Sequence, residues 1–92
     1  MIVSGRYGNP KPGEFLPGIV MPPEIHGLLR KRIAEIETCD TAVNCLIAQA
    51  RAESLVEALE VLKALPAHAI ERLYLAIEHS AQVRLAELGS QV

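Results

Sequence analysis

Residues 41–66 read TAVNCLIAQARAESLVEALEVLKALP. From Thr41 to Leu65 there is neither Gly nor Pro, and Cys45, Ala48, Ala52, Leu55, Leu59 and Leu62 recur at spacings of 3, 4, 3, 4 and 3. That spacing is a heptad seam, one apolar line along one side of a helix. It predicts a continuous helix over about residues 40–65. A rival reading splits the segment at Ser54, because Ser54-Leu55-Val56-Glu57 matches a capping box, and gives four helices around the same core. Val43, Leu46, Ile47 and Ala50 form a second apolar stripe on the first half. Val56, Ala58, Val61 and Leu65 carry apolar character around the second half. A helix that is apolar on more than one side is expected to pack on more than one side.

Working outward, Pro66 stops or kinks this helix, since proline removes a backbone donor and disfavours helical geometry at the residue before it. A further helix is predicted over 67–88, with Ile70, Leu73, Tyr74, Ile77, Ala81, Leu85 and Leu88 as its stripe and Gly89 as its stop. The connection at Ala64–Ala67 is short, which favours antiparallel neighbours. On the other side, Pro22-Pro23-Glu24 suits a helix N-terminus. Ile25, Leu28, Leu29, Ile33 and Ile36 then draw a stripe over 23–37. Asp40 is the expected N-cap of the helix that follows. The predicted fold is all-α: a small bundle of three helices in a domain of residues 23–92.

An arm, residues 1–22, precedes it. Nine of the nineteen residues in GRYGNPKPGEFLPGIVMPP (5–23) are Gly or Pro, and Tyr7 and Phe15 are two of the chain's three aromatics. Phe15, Leu16, Ile19, Val20 and Met21 show no helical period. Pro10, Pro12 and Pro17 favour an extended course. The expectation is an ordered extended strap that covers the helices of its own subunit or of a neighbour.

Half of the 92 residues are apolar, mostly small and aliphatic, and Trp is absent. A chain this short buries only about two thirds of its unfolded surface, and association is a common route to stability at this size. The net charge of −2 is unevenly spread. Residues 1–32 carry five basic and two acidic side chains, net +3; residues 33–92 carry four basic and nine acidic, net −5. No apolar run approaches the roughly 18 residues of a membrane span. MIVSGRYG lacks the basic and apolar regions of a signal peptide, so the protein is expected in the cytoplasm. Cys39 and Cys45 differ by about 240° on a regular helix and cannot pair within one. They read as small buried hydrophobes.

No motif announces a reaction. His68 and His79 would lie about 16 Å apart on one helix, and the single His68–Glu71 pair is too little for a metal site. A nucleophile needs a base and an orienting group within reach: Ser54 reads as a cap or helix-face residue, Ser80 as a small helix-packing residue, Cys39 and Cys45 have no His nearby in sequence, and no phosphate loop is present. No cofactor, metal or small-molecule substrate is expected, and no enzymatic activity. Residues 80–88 (SAQVRLAEL) resemble a helix of the Hha-type nucleoid-associated adaptors over that short stretch alone, and no functional residue is carried over. The reading is a non-enzymatic protein–protein interaction module: an adaptor, a chaperone-like partner or a small regulatory subunit, binding another protein or a second copy of itself as a homodimer. Its expected partner-binding residues are Tyr7, Phe15, Leu16, Ile19, Leu55, Leu59 and Leu62. The alternative is a DNA-associated transcriptional regulator contacting nucleic acid through Arg30, Lys31 and Arg32.

Overall fold

A computed structural model describes residues 9–90. Three helices form the body: α1 (Pro23–Thr38), α2 (Ala42–Val61) and α3 (Ala67–Gly89). Each packs against the other two. The all-α architecture agrees with the expectation from spacing. α2 runs unbroken through Ser54, so the capping-box match at 54–57 starts no new helix.

The helix ends follow from local chemistry. Pro23 opens α1 with Pro22 at the cap, and the first helical bond runs from the His26 N–H to the Pro22 carbonyl at 2.9 Å. α2 is capped by Thr41 rather than Asp40. The Thr41 Oγ1 accepts from the Asn44 N–H at 3.0 Å, while Asp40 Oδ1 accepts from the Asn44 side-chain amide at 3.1 Å. The C-terminus of α2 comes earlier than the sequence suggested. Lys63 takes a left-handed conformation (φ 56°), its N–H reaches Glu60 O at 3.0 Å, and the Ala64 N–H reaches Leu59 O at 2.9 Å. These two bonds make a Schellman motif with lysine where glycine is usual. The helix is therefore already closed when Pro66 is reached.

The described part of the arm, residues 9–22, holds a β-hairpin rather than a single extended strap. β1 (Glu14–Leu16) and β2 (Ile19–Val20) pair antiparallel. Two Pro-Gly pairs shape it. Pro12-Gly13 turns the chain so that the Glu14 N–H meets Lys11 O at 2.9 Å, and Pro17-Gly18 joins the strands. Gly13 and Gly18 sit at φ +89° and +82°, the positive value that the third residue of a type II turn requires. Such turns match the strand twist poorly, and the register slips between Glu14 and Leu16. The Glu14 carboxylate ties the two turns together. It accepts from the Lys11 N–H at 2.8 Å, and the backbone N–H groups of Lys11 and, next, Gly18 hold its pKa below the usual 4.5.

One apolar core joins hairpin and helices. Phe15, Ile19 and Met21 bury themselves with Leu29, Ile33 and Ile36 of α1, Cys45, Ala52, Val56 and Leu59 of α2, and Ile70, Leu73 and Ile77 of α3. Arginines fasten the loops to this core by backbone carbonyls. Arg30 Nη2 donates to Phe15 O at 3.2 Å, Arg72 Nη1 to Pro17 O at 2.6 Å, and Arg84 Nε to Cys39 O at 2.8 Å.

Candidate interaction surface

α2 has two apolar sides. At 100° per residue, Cys45, Ala48, Ala52, Val56 and Leu59 cluster about one direction, and all are buried. Val43, Leu46, Ile47, Ala50 and Val61 lie about the opposite direction. Val43, Leu46 and Ile47 are 66%, 55% and 54% exposed and Val61 is 73% exposed. The seam thus faces α1 and α3, and the second stripe faces outward with nothing of the described chain over it.

The borders of this outward face are charged. Glu53, Glu57 and Glu60 run along one edge, toward α3. Burial first, and then these three carboxylates, push the Tyr74 hydroxyl above its usual pKa of 10. On the other edge Arg51 reaches Glu35 Oε1 at 3.6 Å, and Glu35 also pairs with Arg32 at 3.1 Å.

The expected partner-binding residues fall into three groups. Phe15, Ile19 and Leu59 are inside the core. Leu16 and Leu55 are half-buried against it. Leu62 lies beyond the last residue of α2, at its C-cap, and is 75% exposed, because the Schellman closure ends the helix before the seam does. Tyr7 lies outside the described residues. The hairpin packs on the helices of its own chain through Phe15, Ile19 and Met21.

The basic triplet is divided. The Arg30 guanidinium sits 4.2 Å from the centre of the Phe15 ring as well as bonding its carbonyl. His26 meets the same ring edge-on at 5.2 Å. Arg32 is paired with Glu35, and Lys31 is exposed. Sequence reasoning missed these arginine-to-carbonyl contacts, for which no local signal exists. It missed the two turns, for which Pro-Gly was the signal.

Two surface clefts accompany the helix junctions. One, of about 360 Å³, is lined by Glu37, His79, Ser80, Val83, Arg84 and Glu87. The other, of about 440 Å³, lies where α1 passes into α2 and includes Glu35, Cys39, Asn44, Ile47 and Arg51. Among the described residues, no polar or charged side chain is fully buried, no group of three or more His, Cys, Asp and Glu is placed to hold a metal, and no helix is long and apolar enough to cross a membrane. No protein-family model, curated protein or solved structure matches the chain.

Proposed function

We propose that this chain is a non-enzymatic protein–protein interaction module, of the adaptor or small regulatory-subunit kind, which self-associates through the outward face of α2. The observation that carries the reading is the double-sided helix: one side completes the core, and the other leaves Val43, Leu46, Ile47 and Val61 in water. Exposed apolar surface gathered in one place is characteristic of an interface, and a twofold axis presents the same surface twice. The stripe suits antiparallel self-pairing. Its centre holds the small residues Ala50 and Ser54, which allow close approach, and both ends hold larger aliphatics. Val43 of one copy would then cross Val61 of the other.

That geometry fixes a sign for the effect of salt. A twofold axis perpendicular to two antiparallel helices brings like edges together, so the Glu53, Glu57 and Glu60 edge meets itself. Added salt screens the repulsion, and association tightens. Nucleic-acid binding behaves in the opposite way, weakening as salt rises through counterion release. The reading as a DNA-associated regulator through Arg30, Lys31 and Arg32 has less support, since Arg30 and Arg32 are engaged within the chain.

The test is sedimentation equilibrium across a tenfold concentration range, at low and moderate salt. A dimer that tightens with salt and is lost in Ile47→Glu agrees with the proposal. A species of 10.0 kDa at every concentration rejects self-association.

A further inference from the structure

Cys39 and Cys45 could not pair if both lay on one regular helix, and they do not. Cys39 is the C-cap of α1, with extended backbone (φ −63°, ψ 150°). Cys45 lies in the first turn of α2, beyond the break at Asp40-Thr41. The break turns the chain, so that the Cys39 backbone and the Cys45 side chain meet one turn of α3. The Cys39 carbonyl accepts from Arg84 Nε at 2.8 Å, and Cys45 Sγ approaches the Ala81 carbonyl at 3.9 Å. Cys39 Sγ donates to the Ile36 carbonyl at 3.2 Å, and the Cys39 thiol is near enough to Cys45 to help raise the pKa of that thiol. Both are free.

Their exposure differs. Cys45 is fully buried, whereas Cys39 is half-buried and lines the cleft of about 440 Å³ between α1 and α2. Thiol oxidation follows access to the sulfur. A small oxidant can therefore reach Cys39 Sγ from solvent while Cys45 stays behind it.

We propose that Cys39 and Cys45 are an oxidation site, at which a hydroperoxide converts the two thiols into an intramolecular disulfide joining the end of α1 to the first turn of α2. In the first step the Cys39 sulfur, as thiolate, attacks one peroxide oxygen. The O–O bond breaks, the other oxygen leaves as alkoxide and takes up a proton to become an alcohol, and Cys39 becomes a sulfenic acid. In the second step the Cys45 sulfur attacks the Cys39 sulfur. The S–O bond breaks, and the hydroxide leaves as water with the proton from Cys45. Overall, two thiols lose two electrons and two protons, and the hydroperoxide is reduced to alcohol and water. Burial, and next the contact with Cys39, push the Cys45 thiol above its usual pKa, which suits it to second place in the sequence: a thiolate forms less readily there.

The experiment is brief treatment of the folded, full-length protein with hydrogen peroxide or tert-butyl hydroperoxide. The reaction is quenched with iodoacetamide in denaturant, and intact mass and non-reducing electrophoresis are recorded. The expected product is a monomeric chain lighter by two hydrogens that takes up no alkylating agent and regains two alkylation sites after dithiothreitol. Cleavage before Asp40 should leave the two flanking fragments joined until reduction. Cys39→Ser, at a half-buried position, should yield no such product while keeping its helical circular dichroism. Cys45→Ala should leave a sulfenic acid at Cys39 that dimedone captures. Disulfide formation should be faster in the folded protein than in urea. The proposal is overturned if both thiols remain alkylatable, if the bond links two chains, if Cys39 proceeds directly to sulfinic acid, or if urea accelerates the reaction.

Discussion

The Arg72 guanidinium meets the Pro17 carbonyl at 2.6 Å across 55 residues of chain, so the turn of the N-terminal hairpin is fastened to the C-terminal helix. The contact is half-buried, and its donor is charged, which places it among the stronger hydrogen bonds. Arg72→Ala should lower stability by about 1.5–3 kcal/mol. Arg72→Lys should recover only part of that, because an ammonium lacks the planar fork of the guanidinium. Urea unfolding followed by circular dichroism reads both; an unchanged midpoint in Arg72→Ala would show that the contact adds nothing.

Phe15 is the largest side chain wholly inside the core, with Arg30 over its face and His26 at its edge. Phe15→Ala should cost about 3–5 kcal/mol, a large share of the roughly 5–15 kcal/mol available to a domain. Arg30→Met keeps most of the apolar stem but loses the cation above the ring. Its cost should be smaller, about 1–2 kcal/mol. Thermal melting would rank the two, and the reverse order would contradict the packing described.

Lys63 is a lysine in a glycine's conformation, at φ 56°. Lys63→Gly should raise stability by about 1 kcal/mol, since a left-handed residue with a Cβ is strained by roughly 1–2 kcal/mol and part of the gain is offset by the freer unfolded chain. At the other end of α2, Thr41→Ala removes the side-chain cap and should cost about 1 kcal/mol. The melting temperature should move up in the first variant and down in the second.

Glu14 sets the response to acid in the hairpin. Its pKa is held below 4.5 by the backbone N–H groups of Lys11 and then Gly18. A depressed carboxylate pKa contributes stability that is present above the unfolded value and fades as pH falls through the folded one. Stability of the wild type should therefore fall below about pH 4.5, and Glu14→Gln should fall less steeply over the same range. Urea midpoints measured stepwise below pH 5 would show the difference in slope.

Ile47 tests whether the outward face of α2 matters to the fold. It is about half exposed, at 54%, so Ile47→Glu should change stability by no more than about 0.5 kcal/mol in dilute monomer, while removing self-association. A large loss of stability in the monomer would mean that the side chain supports the core after all.

The helices were legible because each carries its period openly. Cys45, Ala48, Ala52 and Leu59 are buried at the spacing that nominated them, and Ile70, Leu73, Ile77 and Ala81 likewise. The end of α2 was not legible, because the chain reverses at Lys63 without the glycine that normally signals it. Leu62 consequently reads as a seam residue yet stands in solvent. The hairpin is written in the sequence as Pro12-Gly13 and Pro17-Gly18: the prolines alone suit an extended course equally well, and the turns follow only from the positive φ that each glycine adopts. The roles of Arg30, Arg72 and Arg84 had no sequence signal. Each depends on a carbonyl at least 15 positions away, brought near only by tertiary packing. The face of α2 was visible as a second stripe, and only the packing of the other elements shows that it is the uncovered one.

The clasp between Pro17 and Arg72 also sets an order of events during synthesis. The hairpin leaves the ribosome first, but its partner on α3 is made 55 residues later. At about 5–20 residues per second, the Pro17 carbonyl waits roughly 3–11 s for its donor. In that interval the nascent chain carries an undocked apolar leader. Closure belongs to the last helix, so a chain truncated before Arg72 would display Phe15 and Ile19 to the quality-control machinery, while the finished one hides them.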